Sequence, residues 1–291
     1  MKGSLLWVIS ALAIGWLIWG KPPSNSSINQ PNWFNERLGL LIPFKPSEDD
    51  FFREKVMADD LRNGLSNSSA RRGNIVSLDR QFTFSQDQLN ATMRTFNFAQ
   101  RSLTYHWKRP DGNVYAFSAE SIEQDYYFAP AFLTGWQPFE VNYLWQPWYA
   151  VAHRMRYARD SILFAGRTDV WQTGYQSWQR RLGDCEDHAL LLADWLINMG
   201  EDARVVLGQW NDEGHAWVIL FRNNQVYLLE PTRKFGRKAL REYPLASLMT
   251  DYRPQAMFNR EIIWVNSGSM FTTNYSDGRW KKASTFYPSL N

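Results

Sequence analysis

The stretch from Gly183 to Gly200, GDCEDHALLLADWLINMG, constrains the fold more than any other part of the chain. Cys185, Ala189, Leu192, Leu196 and Met199 recur at i, i+4, i+7, i+11 and i+14, one stripe of a helix. Gly183 and Asp184 supply a turn and a candidate cap, and Gly200 supplies the stop. Cys185 therefore falls in the first turn of a mostly buried helix. Three strand-like runs follow directly, ARVVLGQ, HAWVILF and VYLLEPT, separated by polar turns at residues 211–214 and 222–225. A two-residue turn at Asn223-Asn224 sets residue 217 opposite 230 and residue 215 opposite 232. His215 and Glu230 then lie diagonally on one sheet face, within reach of a hydrogen bond. A slip of one residue would put them on opposite faces.

Cys185 is the only cysteine, which excludes an intramolecular disulfide and a multi-cysteine zinc site. A helix N-terminus favours a thiolate by about 0.3–1 kcal/mol, rising to about 2 when partly buried. Asp184, Glu186 and Asp187 oppose it, so an activated thiol here needs a cationic partner. The roles that follow are Cys185 as nucleophile, His215 as the base that later protonates the leaving amine, and Glu230 as the carboxylate orienting the imidazole. His188, one turn from Cys185, is a competing base without an obvious orienting carboxylate. The three acids around Cys185 either mark an ordinary helix start or hold a hard cation such as calcium.

The flanking regions set the organisation. Residues 5–20, LLWVISALAIGWLIWG, carry no charge and would span roughly 24 Å as a helix. The one Ala-x-Ala triplet, Ala11-Leu12-Ala13, lies inside the run, so an uncleaved membrane anchor at residues 1–20 is expected in preference to a cleaved signal. The bulk of the chain then faces away from the cytoplasm, into the periplasm in a Gram-negative host. Residues 21–46 read as a linker, 47–150 as an N-terminal α/β region of open independence, 151–266 as the core, and 267–291 as a peripheral tail. Within 47–150, Leu89, Met93 and Phe96 mark a helix, and Arg109-Pro110-Asp111-Gly112 a turn between two strands. Trp136, Trp145 and Trp148 either pack the core or line a cleft. A net charge of +3 argues against a nucleic-acid partner.

The motifs WQTGYQSWQRRLGDCEDHALLLADWLINMG, GHAWVIL and VYLLEPT together resemble the transglutaminase-like superfamily. The resemblance implies an α+β, papain-like core in which a helix carrying the nucleophile packs on an antiparallel sheet. It places the nucleophile on Cys185 and the base on His215. The superfamily's third residue is usually Asp, where this chain has Glu230, one methylene longer; Gly174 and Gln176 stand where a Pro and a Glu are common. An oxyanion hole would combine the Cys185 amide with Gln172, or alternatively Gln179. GDCED is also similar to bacterial transglutaminase-like cysteine proteinases, some of which need calcium. The implied activity is a thiol enzyme acting on peptide or amide bonds through a Cys thioester, with hydrolysis favoured over cross-linking. The implied partner is a protein or peptide substrate, and no cofactor is required unless calcium is one. The alternative is an inactive scaffold or binding module of the cell envelope.

Overall fold

The computed structural model describes residues 69–78, 82–95, 103–235 and 243–289. The anchor and linker expected at residues 1–46 lie outside them. Among the described residues, no helix is long and apolar enough to cross a membrane.

The chain enters through β1 (Gly73–Ser77) and β2 (Thr83–Phe84), then α1 (Gln86–Thr95), which buries Leu89 and Met93. Next come β3 (Tyr105–Lys108), β4 (Val114–Ser121) and β5 (Tyr126–Phe128), a small antiparallel sheet. The helix α2 (Trp145–Arg154) leads to β6 (Arg156–Tyr157), the short α3 (Asp160–Leu163) and β7 (Val170–Trp171). Then follow α4 (Gly174–Arg180), β8 (Leu182–Gly183) and α5 (Cys185–Asn198). The long hairpin strands are β9 (Asp202–Trp210), β10 (Glu213–Arg222) and β11 (Gln225–Leu229). β12 (Tyr252–Phe258), β13 (Ile262–Asn266) and β14 (Trp280–Pro288) complete the described strands. Among these residues, eight strands form one antiparallel sheet in the order β11-β10-β9-β12-β13-β14-β1-β2.

Residues 185–196 of α5 are all buried, so the helix is enclosed on every side rather than along one stripe. It packs on β9 and β10, with α2 and α4 against it. Gly200, at φ +85°, takes the left-handed position that ends it. The Gly200 amide donates to the Ile197 carbonyl and the Glu201 amide to the Leu196 carbonyl, a Schellman pair. Both hairpin turns put two non-glycine residues at positive φ, Asn211-Asp212 at 50° and 64° and Asn223-Asn224 at 50° and 59°. That is the type I′ pattern, whose twist matches the flanking strands.

Two expected boundaries are not found. Residue 150 lies inside α2, because Pro147 sits in the helix's first turn, where its missing amide costs nothing. Residues 267–289 are not peripheral: β14 is an interior strand between β13 and β1. Its buried Trp280, Ser284 and Phe286 are interrupted by exposed Lys281 and Lys282, which masks the strand pattern in the sequence. Since β1 belongs to the same sheet, the described part of 47–150 shares the core instead of forming a unit of its own.

One buried ion pair ties α5 to the loop between β12 and β13. Asp194, fully buried, accepts from Arg260 Nε at 2.7 Å and from the amides of Gly135 and Trp136 at 2.9 and 3.1 Å. Asp194→Ala leaves two amides without their acceptor and strips the carboxylate from a guanidinium that keeps only the Asp194 carbonyl and Asn198 Oδ1, and should cost about 3–5 kcal/mol in urea unfolding. A loss below about 1 kcal/mol would contradict this reading of the clamp.

Candidate active site

Cys185 reaches its position through a short parallel bridge. β8 pairs with β6, and the Ala158 amide donates to the Gly183 carbonyl at 2.9 Å. Asp184 is extended (φ −102°, ψ −150°), and the helix begins at Cys185. Cys185 is 8% exposed. It donates to Glu186 Oε2 at 3.1 Å, and the Ala216 amide of β10 donates to the sulfur. Burial pushes the thiol well above its usual pKa, and the charges of Glu186 and Asp184 add to this; the Ala216 amide pulls the other way. The resting group is a thiol.

His215 lies on β10, immediately before Ala216. The β10–β11 register pairs Arg222 with Gln225 and Val218 with Leu229, which continues to 217 opposite 230. His215 Nε2 is 2.8 Å from Glu230 Oε2. The Tyr252 hydroxyl donates to the same oxygen at 3.0 Å, and the Thr232 amide and hydroxyl donate to Oε1 at 2.9 and 2.6 Å. The longer side chain of Glu230 is thus fixed at both oxygens. Burial alone would raise its pKa, but His215 and the Thr232 donors outweigh it and hold the carboxyl at about 2. Trp148 Nε1 donates to the Glu230 carbonyl at 3.0 Å, so the buried tryptophan of α2 braces the backbone there.

The two halves meet at the strand backbone. His215 packs beside Trp217 and Tyr252, whereas α5 lies against the face of Ala216 and Val218. Among the described residues no hydrogen bond joins the thiol to the imidazole: the thiol is held by Glu186 and Ala216, and Nε2 by Glu230. Nδ1 is the imidazole nitrogen that remains for a thiol proton.

Gln172 is not arranged as an oxyanion donor. Its side-chain amide donates to Asp187 Oδ2 at 2.5 Å and to the Leu182 carbonyl at 3.1 Å, and its backbone amide to Asp187 Oδ1 at 2.8 Å. Both of its side-chain N–H groups fix the approach to α5 instead. Gln179, the alternative donor, is exposed on α4. Gln176, at one of the positions that depart from the superfamily pattern, closes a capping box with Thr173. His188 is buried, with Nδ1 2.6 Å from the Asp184 carbonyl of its own helix, and burial lowers its pKa to about 4. Of the three tryptophans, Trp136 and Trp148 are core residues and Trp145 is half-buried.

The acids around Cys185 are joined by two that sequence proximity does not reveal. Asp160 of α3 and Asp169, just before β7, bring carboxylate oxygens within 4.8 Å of Glu186; Asp160, Asp184 and Asp187 form an equally close set. Burial and the neighbouring Glu186 push Asp160 to about 10 and Asp169 to about 7, and Asp184 and Asp187 rise well above the usual range. Asp160 Oδ1 and Asp184 Oδ1 are buried without a hydrogen-bond partner. An all-oxygen set with buried, unpartnered carboxylate oxygens has the chemistry of a hard-cation site.

Residues 169–284 match the family described as the CEP76 peptidase-like domain. The human Protein CC2D2B is 29% identical over 101 residues, which cover 34% of this chain and 7% of the human protein. Among solved structures, Legionella pneumophila LapG is similar at 18% identity and a TM-score of 0.35, over 47% of this chain and 75% of that one. Its calcium-bound form gives 18% and 0.36, over 51% and 81%. Residues 169–284 are thus similar to a peptidase-like domain, within a mixed α/β fold that is mostly sheet.

Proposed function

We propose that the protein is a cysteine peptidase or amidase that works through a Cys185 thioester. The observation that carries this is the His215–Glu230 pair, 2.8 Å apart and fixed on both carboxylate oxygens, one residue from the amide that touches the Cys185 sulfur. The match of residues 169–284 to a peptidase-like family supports it.

In the reaction the thiol proton passes to His215 Nδ1 and the sulfur attacks the substrate carbonyl carbon. The first-turn amide of Cys185, one of the helix N–H groups without an intrahelical partner, would donate to the developing oxyanion. The imidazolium, steadied by Glu230, gives its proton to the departing amine nitrogen as the C–N bond breaks. His215 then takes a proton from water, the hydroxide attacks the thioester, and the acid leaves as Cys185 regains its proton. An amine acceptor in place of water would give a cross-link; hydrolysis is the proposed outcome.

Asp160, Asp169, Asp184, Glu186 and Asp187 would hold a divalent cation such as calcium, and the unpartnered oxygens of Asp160 and Asp184 fit that use. When bound, it supplies positive charge that offsets the acids opposing a Cys185 thiolate. Calcium at a hundred times its dissociation constant should add about 2.7 kcal/mol, raising Tm by roughly 5–10 °C, and should speed alkylation of Cys185 by iodoacetamide. A chelator should reverse both effects and Asp160→Asn should abolish them; indifference of Tm and alkylation to calcium would remove the cation from the account.

Residues 5–20 are proposed to anchor the protein, with the catalytic part outside the cytoplasm. A second reading, a non-catalytic scaffold, draws on the thiol's bond to Glu186 rather than to His215. Alkylation of Cys185 that falls on His215→Ala favours the enzyme. Alkylation indifferent to His215, with or without calcium, favours the scaffold.

A further inference from the structure

The loop after Glu230 places a cation beside the histidine. Thr232 holds Glu230 Oε1 with its amide and hydroxyl, and the next residue, Arg233, lays its guanidinium over the Trp210 ring, 4.1 Å from the centroid. Trp210 closes β9, and its ring lies 5.9 Å from that of His215 and 6.3 Å from that of Tyr252. The Arg233 charge is felt at the Tyr252 hydroxyl, which itself bonds Glu230.

Arg233 differs in its partner from the arginines that the sheet strands and their loops pair with acids. Arg204, Arg222, Arg253 and Arg260 pair with Asp202, Glu201, Asp212 and Asp194. Arg233 is half-buried, and among the described residues no carboxylate pairs with it. The neighbouring Glu230 is already committed to His215, Thr232 and Tyr252. Stacking uses the face of a guanidinium and leaves its in-plane N–H donors free, in the fork that matches a carboxylate. The tryptophan also fixes the fork, so little side-chain freedom is lost on binding.

The position of the fork decides which part of a substrate it meets. His215 must protonate the leaving amine, so groups beside the imidazole border the leaving side of the scissile bond. We propose that Arg233, seated on Trp210, is a specificity-determining residue that binds a carboxylate on the leaving-amine side of the substrate. This rests on Cys185 and His215 being the reacting pair.

The test uses the full chain and two alkylating probes of similar size, anionic iodoacetate and neutral iodoacetamide, with their rates at Cys185 read by mass spectrometry. Arg233→Gln should lower the iodoacetate-to-iodoacetamide ratio by about fivefold, the scale of one partly exposed ion pair. Arg233→Glu should lower it further, Arg233→Lys, which keeps the charge but not the stacked fork, should retain only part of it, and about 1 M salt should erase the difference. Two protectants then identify the carboxylate: aspartyl-glycinamide offers a side-chain group and glycylglycine a C-terminal one. Protection by either that disappears in Arg233→Gln supports the assignment. A ratio unchanged in both Arg233→Gln and Arg233→Glu overturns it while leaving the catalytic reading intact. Failure of iodoacetamide itself to label Cys185 overturns both.

Discussion

Cys185→Ala and His215→Ala should each lower kcat/KM for p-nitrophenyl ester hydrolysis by on the order of 10⁴–10⁶-fold, with circular dichroism unchanged. The two losses should be similar and should not add, because the sulfur and the imidazole act on one proton. Burial and the adjacent acids keep the resting sulfur protonated, so without His215 nothing within the site removes that proton efficiently. His188→Ala serves as the contrast. Its imidazole is bonded to the Asp184 carbonyl within the same helix, and its loss should lower activity far less than loss of His215. An equal loss in His188→Ala would reassign the base.

Glu230→Gln should lower kcat by roughly 10³–10⁴-fold, the effect of replacing a triad carboxylate by its amide. Gln keeps the size but not the charge, and it no longer fixes which imidazole nitrogen carries the proton. The same substitution has a stability signature with a defined sign. The carboxyl is held at about 2 in the folded protein against its ordinary 4.5. A depressed carboxyl pKa stabilises the fold above the unfolded value, and that contribution is lost as pH falls through the folded value. The difference in unfolding free energy between wild type and Glu230→Gln should therefore be full above about pH 5 and shrink by about 3 kcal/mol toward pH 2. Parallel pH curves for the two proteins would show that the carboxylate is not held as described.

Much of this site is legible in the sequence because local rules determine it. Asn223-Asn224 admits the two positive φ values of a type I′ turn, and that turn fixes the β10–β11 register down to His215 and Glu230. Gly200 marks the end of the cysteine helix for a comparable reason, since its left-handed conformation costs a glycine little. The remainder depends on long-range packing that leaves no local trace. Asp160 and Asp169 look like ordinary surface acids until β7 joins β4 and carries them to Glu186. Tyr252 reaches Glu230 only because β12 pairs with β9. Gln172 has the right residue type for an oxyanion donor, but the buried Asp187 takes its amide. β14 escapes notice because Lys281 and Lys282 break its apolar pattern and one of its two neighbours, β1, comes from the other end of the described chain. Arg233 follows a motif that draws attention to Glu230, and only the folded β9 shows that its side chain rests on Trp210.

The claim that Cys185 is an acyl-accepting nucleophile is tested most directly by trapping the thioester. Full-length protein with calcium would be mixed with p-nitrophenyl acetate, quenched in acid within the first turnover and digested with trypsin. A burst of nitrophenolate approaching one equivalent is expected, with an acetyl group on the peptide Leu182–Arg204, at Cys185. Both should be lost in Cys185→Ala and greatly slowed in His215→Ala. Slow release without a burst, with no acetyl on that peptide under conditions where the protein is folded and calcium is present, would contradict it.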